Sequence, residues 1–324
     1  MITSRFGSMA SAAFIRTLVV VCGFLCPLCQ AQTQDAEWVL QGVVDARSQL
    51  RSGIYHIKGD RHIERGEESE RYPLTVKCAF DYEQSLSNFQ RCERIPLVRN
   101  KAKVEGGVTI ELRLIRRPDC AFLYRSGIGP EALTIRDPDV EVESPVMPFD
   151  IRVFGLTTFV GGEEAATVKS LAESLTKKHA EKCSKTGDVW EVQWRVRNKG
   201  PAVVATLWVD EAKQFAPIKL TYGMEQTQPD GPGSQWGQES VVQWKRVSDV
   251  WVPSSARMEH RSSQQTTTYD LEIDWKKVNE ELGGQQFEIA AMELPGSTLV
   301  SEHRTDEPFV VGRLDELPVK IHPP

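Results

Sequence analysis

Five stretches of the chain alternate apolar and polar residues with a period of two, and this constrains the fold more than any other feature. The apolar set is Tyr72, Leu74, Val76, Cys78 and Phe80 in the first stretch, and Val108, Ile110, Leu112 and Leu114 in the second. Phe149, Ile151 and Val153 form a short third. The fourth is Trp190, Val192, Trp194 and Val196, and the fifth is Tyr269, Leu271, Ile273 and Trp275. Charged or polar residues fill the gaps, as Glu191, Gln193 and Arg195 do in the fourth. Successive side chains of a strand point to opposite faces, so each stretch has one oily face and one charged face. Antiparallel sheets tolerate water on one face, whereas parallel sheets are covered on both. The expectation is an antiparallel sheet with one wet face and one face that needs a cover.

Residues 1–31 read as an export signal. Arg5 and Arg16 make a positive leader without acidic residues, Thr17 to Leu28 is an apolar core, and Cys29-Gln30-Ala31 offers small residues for cleavage after Ala31. The apolar run is about 12 residues against the roughly 20 that a membrane span needs. Cys22, Cys26 and Cys29 follow Val21, Leu25 and Leu28, which is the wrong context for lipid attachment to cysteine. A periplasmic or secreted location follows, with 293 of 324 residues remaining. That length suits one large β domain or two small ones.

The net charge of −6 becomes −8 once two arginines leave with the signal. Such a surface has no basic stripe for a phosphate backbone, which argues against nucleic acid as a partner. Cys78, Cys92, Cys120 and Cys183 remain, an even number that permits two disulfides in an exported protein. Cys78 with Cys92 is the expected pair, across a hairpin turning near Gln84-Ser85; buried free thiols are the alternative. No Cys-x-x-Cys spacing remains to suggest zinc.

Two helices stand out. The first is expected from about Ala36 to Ser52, with Asp35 as cap, Val39, Val43, Ala46 and Leu50 on one face, and Gly53 as the stop. The second is expected from Glu163 to about Lys178, with acids at its start, bases at its end, and the stripe Ala165, Val168, Leu171 and Leu175. Further strands are expected at 54–59, 86–93, 97–104, 119–124, 201–209, 216–223, 239–247 and 250–260. The proline-rich, charged segment 296–324 reads as an extended tail along the surface.

Several local runs have a counterpart in a known family. They are Ala46-Arg47-Ser48-Gln49-Leu50-Arg51-Ser52-Gly53-Ile54-Tyr55 as helix into first strand, Phe80-Asp81-Tyr82 before a turn, Phe215-Ala216-Pro217-Ile218-Lys219-Leu220, and Val250-Trp251-Val252-Pro253. With the export signal and the helical interruption halfway, the chain resembles the LolA/LolB-like lipoprotein-sorting proteins over about 36–293. The resemblance implies a mainly β (α+β) fold: a large antiparallel sheet curled into an open half-barrel over 32–295, covered by two or three helices. It also implies a greasy cavity on the concave face that receives acyl chains. This chain is longer than the sorting proteins, and no arginine here aligns with the family's cavity arginine, so no binding residue is carried over.

Motifs for chemistry are weak. Gly231-Pro232-Gly233-Ser234-Gln235-Trp236-Gly237 has the wrong spacing for a nucleophile turn. Gly127-Ile128-Gly129-Pro130 matches a dinucleotide loop only on paper, since Pro130 removes an N–H that the pyrophosphate would need. The six histidines are scattered, and the acidic clusters lack calcium-loop spacing. No catalytic, cofactor-binding or metal residues are assigned, and no cofactor is expected. Tryptophan is more informative: Trp190, Trp194 and Trp275 share the oily parity of the cleanest strands. They fill a core, or they wall a pocket in which an acyl chain gains about 0.8 kcal/mol per buried CH₂.

The expected cavity is lined by Trp190, Val192, Trp194, Leu271, Ile273, Trp275, Ile110 and Leu112 beneath a helix bearing Val168 and Leu171. The reading is an exported, non-enzymatic protein holding a lipid, acyl chain or lipidated peptide. The alternative is an envelope interaction module with a filled core, using a sheet edge or the tail to hold another protein.

Overall fold

The computed structural model describes residues 35–96, 98–99, 102–103, 107–127, 129–139, 149–157, 180–196, 203–224, 236–304 and 311–315. In chain order its strands are β1 (Ser52–Arg65), β2 (Glu68–Asp81), β3 (Leu86–Ile95), the short β4 (Val98–Arg99) and β5 (Ala102–Lys103), β6 (Val108–Arg116), β7 (Ala121–Ser126) and β8 (Ala132–Arg136). Then follow β9 (Lys182–Thr186), β10 (Val189–Val196), β11 (Val203–Asp210), β12 (Ala216–Met224), β13 (Gly237–Val247), β14 (Val250–Arg261), β15 (Thr266–Val278), β16 (Leu299–Glu302) and β17 (Val311–Arg313).

Apart from the separate β4–β5 hairpin, all of them join one sheet in the order β17-β16-β8-β7-β6-β3-β2-β1-β15-β14-β13-β12-β11-β10-β9. The two end strands are not paired with each other, so among the described residues the sheet is an open half-barrel. Its ladders are antiparallel except β16 on β8. Hairpins wire each half locally, and the halves meet where β1 pairs with β15, with Ile57 opposite Ile273 and Lys58 opposite Glu272.

Four of the five alternating stretches lie in β2, β6, β10 and β15, with their apolar parity facing inward. The exception is 149–153. Ile151–Val153 is one turn of 3-10 helix, because the Asp150 carboxylate accepts from the Arg152 backbone N–H at its start and holds the Arg152 guanidinium at 2.7 Å. The Tyr82 hydroxyl donates to Asp150 at 2.6 Å, and the Arg152 guanidinium lies 3.5 Å from the centre of the Tyr82 ring. Local side-chain bonding thus overrides a three-residue alternation.

The first helix covers 35–48 and is shorter than expected. Leu50 is buried beyond it, and Gly53 lies inside β1 instead of ending the helix. A Cβ at Gly53 would sit 3.0 Å from the Trp275 ring and 3.1 Å from Phe80, so glycine is there to let the strand pass beneath Trp275. The turn out of the helix is held by Asn279, whose Oδ1 accepts from the Arg51 N–H at 2.8 Å and whose Nδ2 donates to the Gln49 carbonyl at 2.7 Å. Leader, second helix and the residues Val168 and Leu171 lie outside the described residues.

One face of the sheet is not wet throughout. Leu282, Phe287, Ile289, Met292 and Val300 pack on the outer face against Ala79, Ile115, Phe122, Tyr124, Leu133 and Ile135. Outward polar side chains satisfy the carbonyls of this cover: Asn88 donates to Gln286 at 2.8 Å, Gln90 to Ala291 at 3.1 Å, and Arg113 to Met292. This explains why Ala121 to Tyr124 are buried on both faces. The tail is likewise not merely laid on the surface, because β16 and β17 extend the sheet beyond β8.

Candidate functional site

Register decides which side chains share the inner face. Across the sheet one row runs Ile273, Ile57, Val76, Arg91, Leu112 and Arg125; the next runs Leu271, Gly59, Leu74, Glu93 and Ile110. At the other end Trp190, Val192 and Trp194 stand opposite Val209, Leu207 and Ala205. Two apolar clusters cover this face. The larger contains Leu50, Tyr55, Ile57, Leu74, Ile110, Leu112, Leu271, Ile273 and Trp275. The second joins Val192, Trp194 and Leu207 to Ala36, Val39, Leu40 and Val43 of the helix.

The expected cavity residues therefore share one face but not one contact cluster. Ile110, Leu112, Leu271, Ile273 and Trp275 belong to the larger cluster. Val192 and Trp194 lie beneath the first helix, with Trp190 at that cluster's margin, where its Nε1 donates to Glu211 at 2.7 Å and Trp38 meets its ring edge-on at 5.5 Å. Trp275 donates to the Pro253 carbonyl at 2.8 Å and Trp244 to the Pro217 carbonyl at 3.0 Å, so both indoles are fixed by backbone acceptors. Trp208 points to the outer face, 5.4 Å from Lys219.

Charge is buried in this apolar wall, and sequence reading missed it. Phe89, Arg91, Glu93 and Ile95 share one parity of β3, and the apolar pair that flanks the two charges was the available signal. Glu93 is 1% exposed and Arg91 4%. Arg91 Nη2 lies 2.7 Å from one Glu93 oxygen, and Arg61 Nη1 lies 3.1 Å from the other. Arg61 also donates to the Tyr269 hydroxyl at 3.3 Å, between the rings of Tyr72 and Tyr269 at 5.7 and 5.9 Å. Its Nε and Nη2 are buried without a hydrogen-bond acceptor.

A further buried cation, Arg47, hangs from the helix onto the same face. Its Nη1 donates to the Trp251 carbonyl at 2.9 Å and its guanidinium covers the Trp244 ring at 4.2 Å. Desolvation lowers its pKa to about 9, which leaves it charged at neutral pH. The outer face carries a groove of about 590 Å³ over β1 and β13–β15. Its charges pair within the chain, Arg71 with Asp60 at 2.5 Å and Arg257 with Asp270 at 3.1 Å. The Arg71 hydrogen bond holds the Asp60 carboxyl below its ordinary value. The apolar clusters on the inner face, set against the paired surface charges of the outer face, make the inner face the candidate site.

The expected Cys78–Cys92 disulfide is overturned. Cys78 stands opposite Phe89 and Cys92 opposite Thr75, so the two sulfurs are three residues apart along the strands, roughly 10 Å, and on opposite faces. All four described cysteines are free, and burial pushes Cys78 up to about 12 and Cys120 and Cys183 up to about 11. A chain lacking residues 1–31 is expected to release four thiols to Ellman's reagent in denaturant without reductant. Two would show a disulfide and contradict this register.

No protein-family model matches the chain, and no curated protein matches its sequence. Solved structures of low identity do resemble it. One is a domain assigned as an outer-membrane lipoprotein-sorting protein from Vibrio parahaemolyticus, 11% identical, covering 82% of this chain and 100% of that one with a TM-score of 0.40. A DUF1329 family protein from Desulfovibrio piger is 8% identical over 78% of this chain and 97% of that one, with a TM-score of 0.41. A LolA superfamily protein from Nitrosomonas europaea is 9% identical over 78% of this chain and 98% of that one, with a TM-score of 0.36.

Proposed function

We propose that this chain is a non-enzymatic carrier that holds an acyl chain, a lipid or a lipidated peptide against the inner face of its half-barrel, in the periplasm or outside the cell. The observation that carries this is the inner face itself: apolar side chains run from Ile110 in β6 to Val192 in β10, and helix 35–48 is laid over one part of them. A face of this kind discriminates by hydrocarbon length and not by directional bonding. Each CH₂ it takes from water contributes about 0.8 kcal/mol, so a long chain gains on the order of 10 kcal/mol before ordering costs.

Tryptophan reports this directly, because Trp194, Trp244 and Trp275 face inward. Brominated palmitate, which quenches indole on contact, is expected to reduce tryptophan emission in a saturable manner, and unbrominated palmitate to restore it. Emission that falls only in proportion to added quencher, without saturation or reversal, would remove the carrier reading and leave the interaction module.

A further inference from the structure

Resting on the carrier reading, we infer that residues 149–157 are a strap lying in the acyl-chain site, and that a guest binds by displacing it. The strap joins the two apolar clusters of the inner face: Ile151 and Phe154 belong to the larger and Leu156 to the second. Phe149 meets the Phe89 ring edge-on at 5.3 Å and stacks on Phe154 at 5.4 Å. At the other end Gly155 has a φ of +80°, and a Cβ there would collide with the Pro217 carbonyl oxygen, so the strap lays its bare backbone on the start of β12. Hydrocarbon from the chain itself thus covers the wall that an acyl chain would cover, and strap and guest compete for it.

Two features make the strap displaceable. It has no place in the strand order of the sheet, and its backbone bonds from Val153 to the Asp150 carbonyl at 3.1 Å and from Leu156 to the Val153 carbonyl at 2.9 Å close on the strap itself. Lifting it leaves the ladders of the sheet intact. Its polar hold is also narrow: Arg152, which binds the Asp150 carboxylate at 2.7 Å, travels with the strap, whereas the Tyr82 hydroxyl, just past β2, donates to that carboxylate at 2.6 Å from the sheet side. Exchanging one hydrocarbon for another on the wall is close to even, so this charge-assisted bond biases the chain toward the covered state. The affinity for a guest is then reduced by the fraction of molecules whose strap is lifted.

The test is hydrogen–deuterium exchange on the full chain with and without saturating palmitate, binding itself being read by displacement of brominated palmitate. Palmitate is expected to speed exchange of the amides of 149–157 about tenfold or more, while those of β2 and β15 hold or slow, because a lifted strap loses its turn. Tyr82→Phe keeps the ring that faces Arg152 and removes the hydroxyl that holds Asp150. It is expected to bind palmitate about tenfold more tightly than the wild type, and a thermal melt checks that it is folded. If it is not, exchange in the wild type alone decides. Bound palmitate that leaves exchange at 149–157 unchanged or slower, or a folded Tyr82→Phe that binds no more tightly than the wild type, would overturn the strap and leave the carrier standing. Binding of palmitate by neither chain would overturn both.

Discussion

Replacing Glu93 with alanine is expected to lower the stability of the folded chain by about 3–5 kcal/mol, because it removes from an apolar wall the carboxylate that the Arg61 and Arg91 guanidinium groups share. Glu93 is 1% exposed and touches both Arg61 and Arg91. For a chain of this size that loss lowers the melting midpoint by about 6–15 °C. The informative companion is the triple change Arg61→Met, Glu93→Leu and Arg91→Met. It removes all three charges at similar volume and is expected to restore the midpoint to the wild-type value or above it. Denaturant unfolding of the two variants measures the contrast. A Glu93→Ala loss below about 1 kcal/mol would mean that the trio is hydrated.

Trp275→Ala carries the second large effect, about 3–5 kcal/mol. The indole fills the space above Gly53, lies 5.2 Å from the Tyr55 ring and 6.3 Å from Phe80, and bonds to the Pro253 carbonyl. Truncation therefore opens a cavity and leaves that carbonyl without its donor. Trp208→Ala removes the same side chain from the outer face, where Lys219 covers it, and is expected to cost about 1 kcal/mol or less. Equal losses would contradict the facing of β11 and β15.

Much of this sheet was legible because period two survives wherever one face is buried and the other wet. β2, β6, β10 and β15 meet that condition, and their boundaries fall within a few residues of expectation. Where the condition fails, the pattern no longer shows the facing. The expected strand at 119–124 is β7, yet it shows no alternation, because Ala121 to Tyr124 are buried on both sides by a cover contributed from 282–300, far away in sequence. β8 and β9 are five residues each, too short to show a period. Gly53 looked like a helix stop because the sequence does not reveal Trp275 lying over it.

The site was half legible for the same reason. Parity placed Ile110, Leu112, Leu271, Ile273 and Trp275 together, since register within hairpins preserves faces. It could not separate them from Val192 and Trp194, which the first helix claims. Arg91 and Glu93 were passed over because charge is normally an outward mark; only Phe89 and Ile95 on either side show that the strand carries charge inward.

Native mass spectrometry of the chain, expressed from residue 1 and purified without detergent, is the most direct test of the carrier reading. A population heavier than the bare chain by the mass of one amphiphile is expected, stripped by organic extraction and regained when a long-chain amphiphile is added back. A chain that appears only at its bare mass in every preparation, and takes up no amphiphile on addition, would contradict it.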